Sequence, residues 1–278
     1  MSFGPLVTTA ELALNPGWRV FDCRHDLFKP ELGAQQYREG HIPGTVFASL
    51  DKDLSGAKTG NNGRHPLPSP EAFIVWMGKQ GLKPTDTVIC YDAGPGSMAA
   101  RLWWMLRWAG HDTVAVLDGG FAKWAKEGNP VTTEVPTFAA TTYPGKPRTA
   151  MAVDAGYLAG AKELLVDARA PARYRGEQEP IDPVAGHIPG AANRFNNDNV
   201  NADGTFKDEA ALRSDFSAVL GKRKPDEVVH YCGSGVSACH NLLAMEIAGL
   251  PGGRLYPGSW SEWIADPDRP RATFKGNA

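Results

Sequence analysis

Cysteine is scarce in this chain of 278 residues, which has four, at 23, 90, 232 and 239. No two of them form a C-x-x-C pair, so neither a disulfide scaffold nor a zinc site is expected. A reducing compartment, the cytoplasm, is the default for such usage. Long apolar runs are also missing. The absence of any stretch of about 18 apolar residues argues against a membrane span. The opening MSFGPLVTTAELALNPGW lacks a basic start followed by an apolar stretch, so it does not read as a signal peptide. Charge of one sign is not in excess: 29 Lys and Arg stand against 31 Asp and Glu, a formal net charge of −2. Without a basic block, neither nucleic acid nor a membrane surface is an expected partner. What remains is ordinary for a globular protein, with 42% hydrophobic and 22% charged residues. The length suits two domains of roughly 130–140 residues, each large enough for its own core.

The chain repeats itself. VFDCRHD at 20–26 is answered by LVDARAP at 165–171, EGHIPGTVF at 39–47 by AGHIPGAAN at 185–193, VICYDAG at 88–94 by VVHYCGS at 228–234, and LDGGFAKW at 117–124 by YPGSWSEW at 256–263. The order is the same in both halves, and the offsets of 145, 146, 140 and 139 differ only by a few loop residues. Each copy alternates short Val- and Ile-rich runs, such as TVICYD and EVVHYC, with helical stretches closed by glycine, such as GSMAARLWWMLRWAG and SACHNLLAMEIAG. This alternation predicts an α/β fold with a parallel sheet flanked by helices in each copy. Residues 1–130 then form one domain and 151–278 the other. The Pro- and Thr-rich stretch 131–150 reads as a linker. The HIPG segments read as structural turns following surface histidines, His41 and His187.

Where the copies differ, chemistry is expected. Asp92 follows the strand in the first copy; Cys232 follows it in the second. Ligand sites of open parallel sheets lie beyond the carboxyl ends of the strands. The loop Cys232-Gly233-Ser234-Gly235-Val236-Ser237-Ala238 joins strand to helix, and its glycines let backbone N–H groups turn inward. With the helix starting near Ser237, its positive end faces the same spot. A thiol there is expected to react as the thiolate. Cys23 and Cys90, within strands, read as packing residues. Cys239, placed two turns into the helix, reads as packing, with a redox partnership to Cys232 as the alternative.

The doubled DxR, GHIPG and LDGGFxxW motifs and the strand–Cys-loop–helix together resemble the tandem-domain rhodanese superfamily, over essentially the whole chain. The loop CGSGVSAC is similar to that of the 3-mercaptopyruvate sulfurtransferase branch, with Ser237 where a Thr is usual. Thiosulfate sulfurtransferases of the animal type place Arg and Lys where this chain has Gly233 and Ser234. The resemblance implies two rhodanese-like domains, the second catalytic. It implies a sulfur passing from 3-mercaptopyruvate to Cys232 as a persulfide and on to a thiol or cyanide, with pyruvate released and no cofactor or metal. It further implies a proton relay of Ser234, His65 and Asp51, a substrate-binding Arg173, and a cradle of Gly233, Gly235, Val236 and Ser237. A second substrate arginine of the family has no counterpart: the region reads EQEPIDPV, with Asp182 near the place, leaving Arg64 or Arg175 as substitutes. A thioredoxin-like protein is the implied acceptor. Thiosulfate:cyanide sulfurtransfer on the same site is the alternative donor chemistry, and a non-catalytic persulfide carrier a further one. A cysteine phosphatase would need C-x5-R, but the sixth residue after Cys232 is Ala238.

Overall fold

The computed structural model describes residues 4–274. The chain divides into two compact units. The first holds the chain up to Gly56, Pro68–Thr149 and Val200–Phe206; the second holds Ala57–Leu67, Ala150–Asn199 and the chain from Lys207 on. Among the described residues no helix is long and apolar enough to cross a membrane.

In chain order the first unit contains β1 (Leu6–Val7), α1 (Thr9–Leu14), β2 (Arg19–Asp22), α2 (Leu32–Glu39), β3 (Thr45–Phe47), α3 (Pro70–Lys79), β4 (Val88–Tyr91), α4 (Ser97–Trp108), β5 (Val114–Leu117) and α5 (Gly120–Lys126). Its strands pair in parallel in the order β1-β5-β4-β2-β3. All residues of β4 and β5 are buried, which is why both runs are continuously apolar rather than alternating. Helix starts are marked in the sequence. Thr8 and Glu11 form a reciprocal capping box on α1, and Ser69 caps α3 ahead of Pro70.

The second unit contains α6 (Ala155–Leu158), β6 (Leu164–Asp167), α7 (Pro171–Arg175), β7 (Ala192–Asn193), α8 (Glu209–Leu220), β8 (Val228–Tyr231), α9 (Ser237–Ile247), β9 (Arg254–Leu255) and α10 (Ser259–Trp263). Its parallel sheet runs β7-β6-β8-β9. Asp208 caps α8 by accepting the Ala211 amide at 2.8 Å.

The repeated motifs are staples of this fold. Arg24 curls back onto Asp22 at 2.6 Å and donates to the Gly40 carbonyl at 2.7 Å. Arg169 does the same with Asp167 at 2.7 Å and Gly186 at 2.6 Å. Both pairs are buried, so each charge needs its partner. His41 and His187 are not surface residues. Both are buried, each stacks on a tyrosine (Tyr37, Tyr174), and each Nδ1 bonds that tyrosine's carbonyl at 2.7 Å. The sequence misleads here because a turn with Pro and Gly normally faces water; in this fold the histidine ties the preceding helix to it.

The similarity also extends further than the motifs. Trp124 donates its indole N–H to the Pro130 carbonyl and Trp263 to that of Pro270, both at 2.8 Å. His41 bridges to Thr132 and His187 to Ala272 in antiparallel fashion. Beyond Thr132 the chain has no helix or strand until Thr149, yet it is held along the first unit. The Thr141 amide donates to Gly78 at 2.8 Å, and Arg148 grips Asp112 with two bonds of 2.6 Å. A Cβ on Gly78 would lie 2.4 Å from the Thr141 carbonyl oxygen, so only glycine admits that approach.

Candidate active site

Cys232 follows β8 directly, at the carboxyl end of a central strand. The next four residues turn the chain into α9. The Gly235 amide donates to Cys232 Sγ at 3.2 Å, and α9 opens just beyond at Ser237. Backbone dipoles thus converge on the sulfur and favour negative charge there. Gly235 has φ of 76°, and a Cβ on it would stand 2.3 Å from the Pro257 carbonyl oxygen. That neighbouring strand-to-helix turn braces the loop: the Trp260 and Ser261 amides donate to the Cys232 and Gly233 carbonyls at 3.0 and 2.9 Å. Val236 caps α9 in a helical conformation and is buried.

In the first unit the equivalent loop closes on a carboxylate of its own. There Asp92 stands where the second copy has Cys232. Its Oδ1 accepts the Gly94 and Gly96 amides, both at 3.0 Å, and its Oδ2 accepts those of Met98 and Ala99 at 2.8 and 3.3 Å. A carboxylate fills this cradle from within. The same backbone in the second copy therefore offers donors to an anion at Cys232.

Two side chains flank the thiol loop within the second unit. His65, in the segment Ala57–Leu67, places Nδ1 2.8 Å from Ser234 Oγ in a hydrogen bond, and both residues are buried. Arg64 precedes it and is anchored through its amide to Ser261 Oγ at 3.1 Å. Its guanidinium reaches so far in that a Cβ on Gly233 would lie 2.8 Å from Arg64 Nη2, with Arg173 Nη2 and Nη1 at 3.6 and 3.7 Å. Gly233 is thus the residue that admits both guanidinium groups. Arg175 is not part of this cluster; it pairs at 2.7 Å with Glu177, both side chains exposed. Asp51 belongs to the first unit, in the turn after Leu50, and is half-buried there.

The arginines are already engaged. Arg173 turns its Nε and Nη2 to Glu179, at 3.0 and 2.7 Å, and Nη2 also reaches Asp182 Oδ2 at 2.9 Å. Arg64 Nη1 binds the other oxygen of Asp182. Arg169 contacts Glu179 at 3.2 Å. A continuous chain of alternating charge therefore runs Asp167–Arg169–Glu179–Arg173–Asp182–Arg64. Burial would lift the Glu179 carboxyl, but the hydrogen bonds and charge of Arg173 together with the Asp182 and Ile181 amides outweigh it and hold it below its ordinary range. Asp182 goes the other way: burial raises it despite the opposing pull of Arg64.

Cys239 lies in the first turn of α9, not two turns in, and its thiol donates to the Gly235 carbonyl at 3.4 Å. It buttresses the loop from behind. In the first unit Cys23 is buried, and burial together with Cys90 pushes its thiol well up, away from thiolate chemistry.

Ser259, Glu179 and the ion-pairing role of Asp182 are absent from the sequence reading. Ser259 could have been found: it aligns with Gly120, whose φ is 57°, and itself has φ of 55°, the only positive value on a non-glycine among the described residues.

A Cys-loop at the strand ends of a doubled parallel α/β fold, with a backbone amide on the sulfur, defines a tandem rhodanese architecture. The rhodanese-like domain family matches residues 8–127 and 154–266, and the chain belongs to that family of sulfurtransferases. It is 48% identical over 282 residues to a probable 3-mercaptopyruvate sulfurtransferase of Pseudomonas aeruginosa, covering 98% of this chain and 99% of the relative. It is 40% identical over 280 residues to a putative thiosulfate sulfurtransferase of Mycobacterium tuberculosis, covering 95% of each. Among solved structures, the 3-mercaptopyruvate sulfurtransferase of Leishmania major superposes with a TM-score of 0.87 at 30% identity, covering 96% of this chain and 75% of that one.

Proposed function

We propose that this chain transfers sulfur from 3-mercaptopyruvate through a persulfide on Cys232. The observation that carries the reading is the cradle: Cys232 Sγ receives the Gly235 amide at 3.2 Å at the start of α9, in a loop whose twin turns four amides onto the carboxylate of its own Asp92. The thiolate attacks the donor sulfur, an S–S bond forms, and the donor C–S bond breaks. Its electron pair leaves with pyruvate as the enolate, which then takes a proton. The backbone donors stabilise the anionic sulfur before and after transfer. Ser234, bonded to His65, is the group placed to hand on that proton; Asp51 is the further member of the relay implied by the family. Arg173, with Arg64 beside it over Gly233, supplies the positive charge that a donor carboxylate requires.

An acceptor thiolate then attacks the outer sulfur and restores the Cys232 thiolate. A thioredoxin-like protein or a small thiol suits that step, and both belong to a reducing compartment such as the cytoplasm. The relative at 48% identity supports mercaptopyruvate as donor. Thiosulfate is the second reading, favoured by the name of the Mycobacterium tuberculosis relative. Intact-protein mass measured after donor alone tests the proposal. A gain of one sulfur is expected on the wild type and none on Cys232→Ser; sulfur loading or turnover in that variant would overturn it. The ratio of kcat/KM for the two donors separates the readings.

A further inference from the structure

The guanidinium pair over Gly233 is not free to act as two cations, because one carboxylate lies between them. Asp182 is 7% exposed as a residue, and its two oxygens are divided between Arg173, at 2.9 Å, and Arg64. Arg64 Nε is buried without a partner, so the Arg64 guanidinium retains an unused donor. Summed along the chain from Asp167 to Arg64, three acids balance three arginines. The ion-pair chain thus carries no net charge of its own.

We propose that Asp182 is the specificity-determining residue of this site, restricting the sulfur donor to monoanions and disfavouring dianions. A carboxylate donor with a neutral thiol carries one charge and meets Asp182 with one unit of repulsion. Thiosulfate carries two and meets twice that. The difference is one unit charge acting over about 10 Å, which changes relative binding by about tenfold or more at an effective dielectric of about 20. A neutral residue at 182 removes that difference while leaving Arg64 and Arg173 to hold the anion.

This inference rests on the sulfur-transfer reading of Cys232, and the experiment keeps the two apart. Steady-state kcat/KM is measured for 3-mercaptopyruvate and for thiosulfate, at fixed thiol acceptor, on the full-length wild type and on Asp182→Asn, Asp182→Ser and Asp182→Glu. The thiosulfate-to-mercaptopyruvate ratio rises by about tenfold in the two neutral variants and stays near the wild-type value in Asp182→Glu. Should one neutral variant fail to fold, the other carries the measurement. Neutral variants that load sulfur on Cys232 but keep the wild-type ratio within about twofold overturn the role of Asp182. A wild type that gains no sulfur from either donor overturns the underlying reading instead.

Discussion

Ser259 accepts the amide of Cys232 at 3.1 Å through its hydroxyl oxygen, while its own backbone is held at φ of 55°. The same hydroxyl donates to the Tyr256 carbonyl at 2.9 Å, and the residue is fully buried. A non-glycine residue in the left-handed region costs about 1 kcal/mol or more. The first copy avoids that cost with Gly120, and it has Asp92 rather than a thiol at the equivalent strand end.

Ser259 therefore fixes the Cys232 backbone, and its two simplest replacements separate strain from positioning. Ser259→Gly relieves the strain and Ser259→Ala keeps it; both lose the hydroxyl. Ser259→Gly is expected to unfold at a higher temperature than Ser259→Ala, while both lose about tenfold or more in donor kcat/KM, because a buried amide loses its acceptor. Thermal unfolding and donor kinetics check this. Wild-type kinetics in both variants would show that the hydroxyl does not position the loop.

Asp92 carries a different expectation. Its carboxylate accepts four backbone amides; a hydrogen bond to a charged group is worth about 1.5–3 kcal/mol net, and four that share one carboxylate do not add in full. Asp92→Ala should lower stability by about 2–4 kcal/mol, read as a fall in the urea midpoint, and Asp92→Asn by less. Sulfur loading of Cys232 in the folded fraction should be unchanged. An alanine variant as stable as the wild type would mean that water replaces the carboxylate without loss.

His230 lies in β8, fully buried, with Nε2 3.0 Å from Met245 Sδ. Burial lowers its pKa to about 3. The folded state thus binds the proton more weakly than the unfolded chain, whose imidazole titrates near its ordinary value. Stability from this group is fully present above about pH 6.5 and is lost at about 1.4 kcal/mol per pH unit as the pH falls toward 3. His230→Leu should flatten the dependence of unfolding free energy on pH between 6 and 4. An unchanged slope in that variant would assign the acid sensitivity to other groups.

The sequence made the fold legible because its repeated motifs are the residues that satisfy backbone groups at the same corners of both copies. Asp22 with Arg24 and Asp167 with Arg169 tie a strand end to a turn 16 or 17 residues on, and such needs cannot drift. The thiol was legible for the opposite reason, as a difference between copies that otherwise agree. The charge chain was not. Arg64 and Asp182 are 118 residues apart, both lie in irregular segments, and neither hydrophobic period nor turn chemistry links them. The buried state of His41 has no local sequence signal, because its tyrosine stacking and carbonyl bond depend on the whole turn.

The second unit counts Ala57–Leu67 as its own, although that segment is encoded among elements of the first copy. Arg64 and His65 ride on it. A cut in the chain between the copies would leave the thiol on one fragment and its two flanking side chains on the other. Duplication in this chain has therefore ended divisibility: neither half of the sequence holds the thiol and its flanking side chains together.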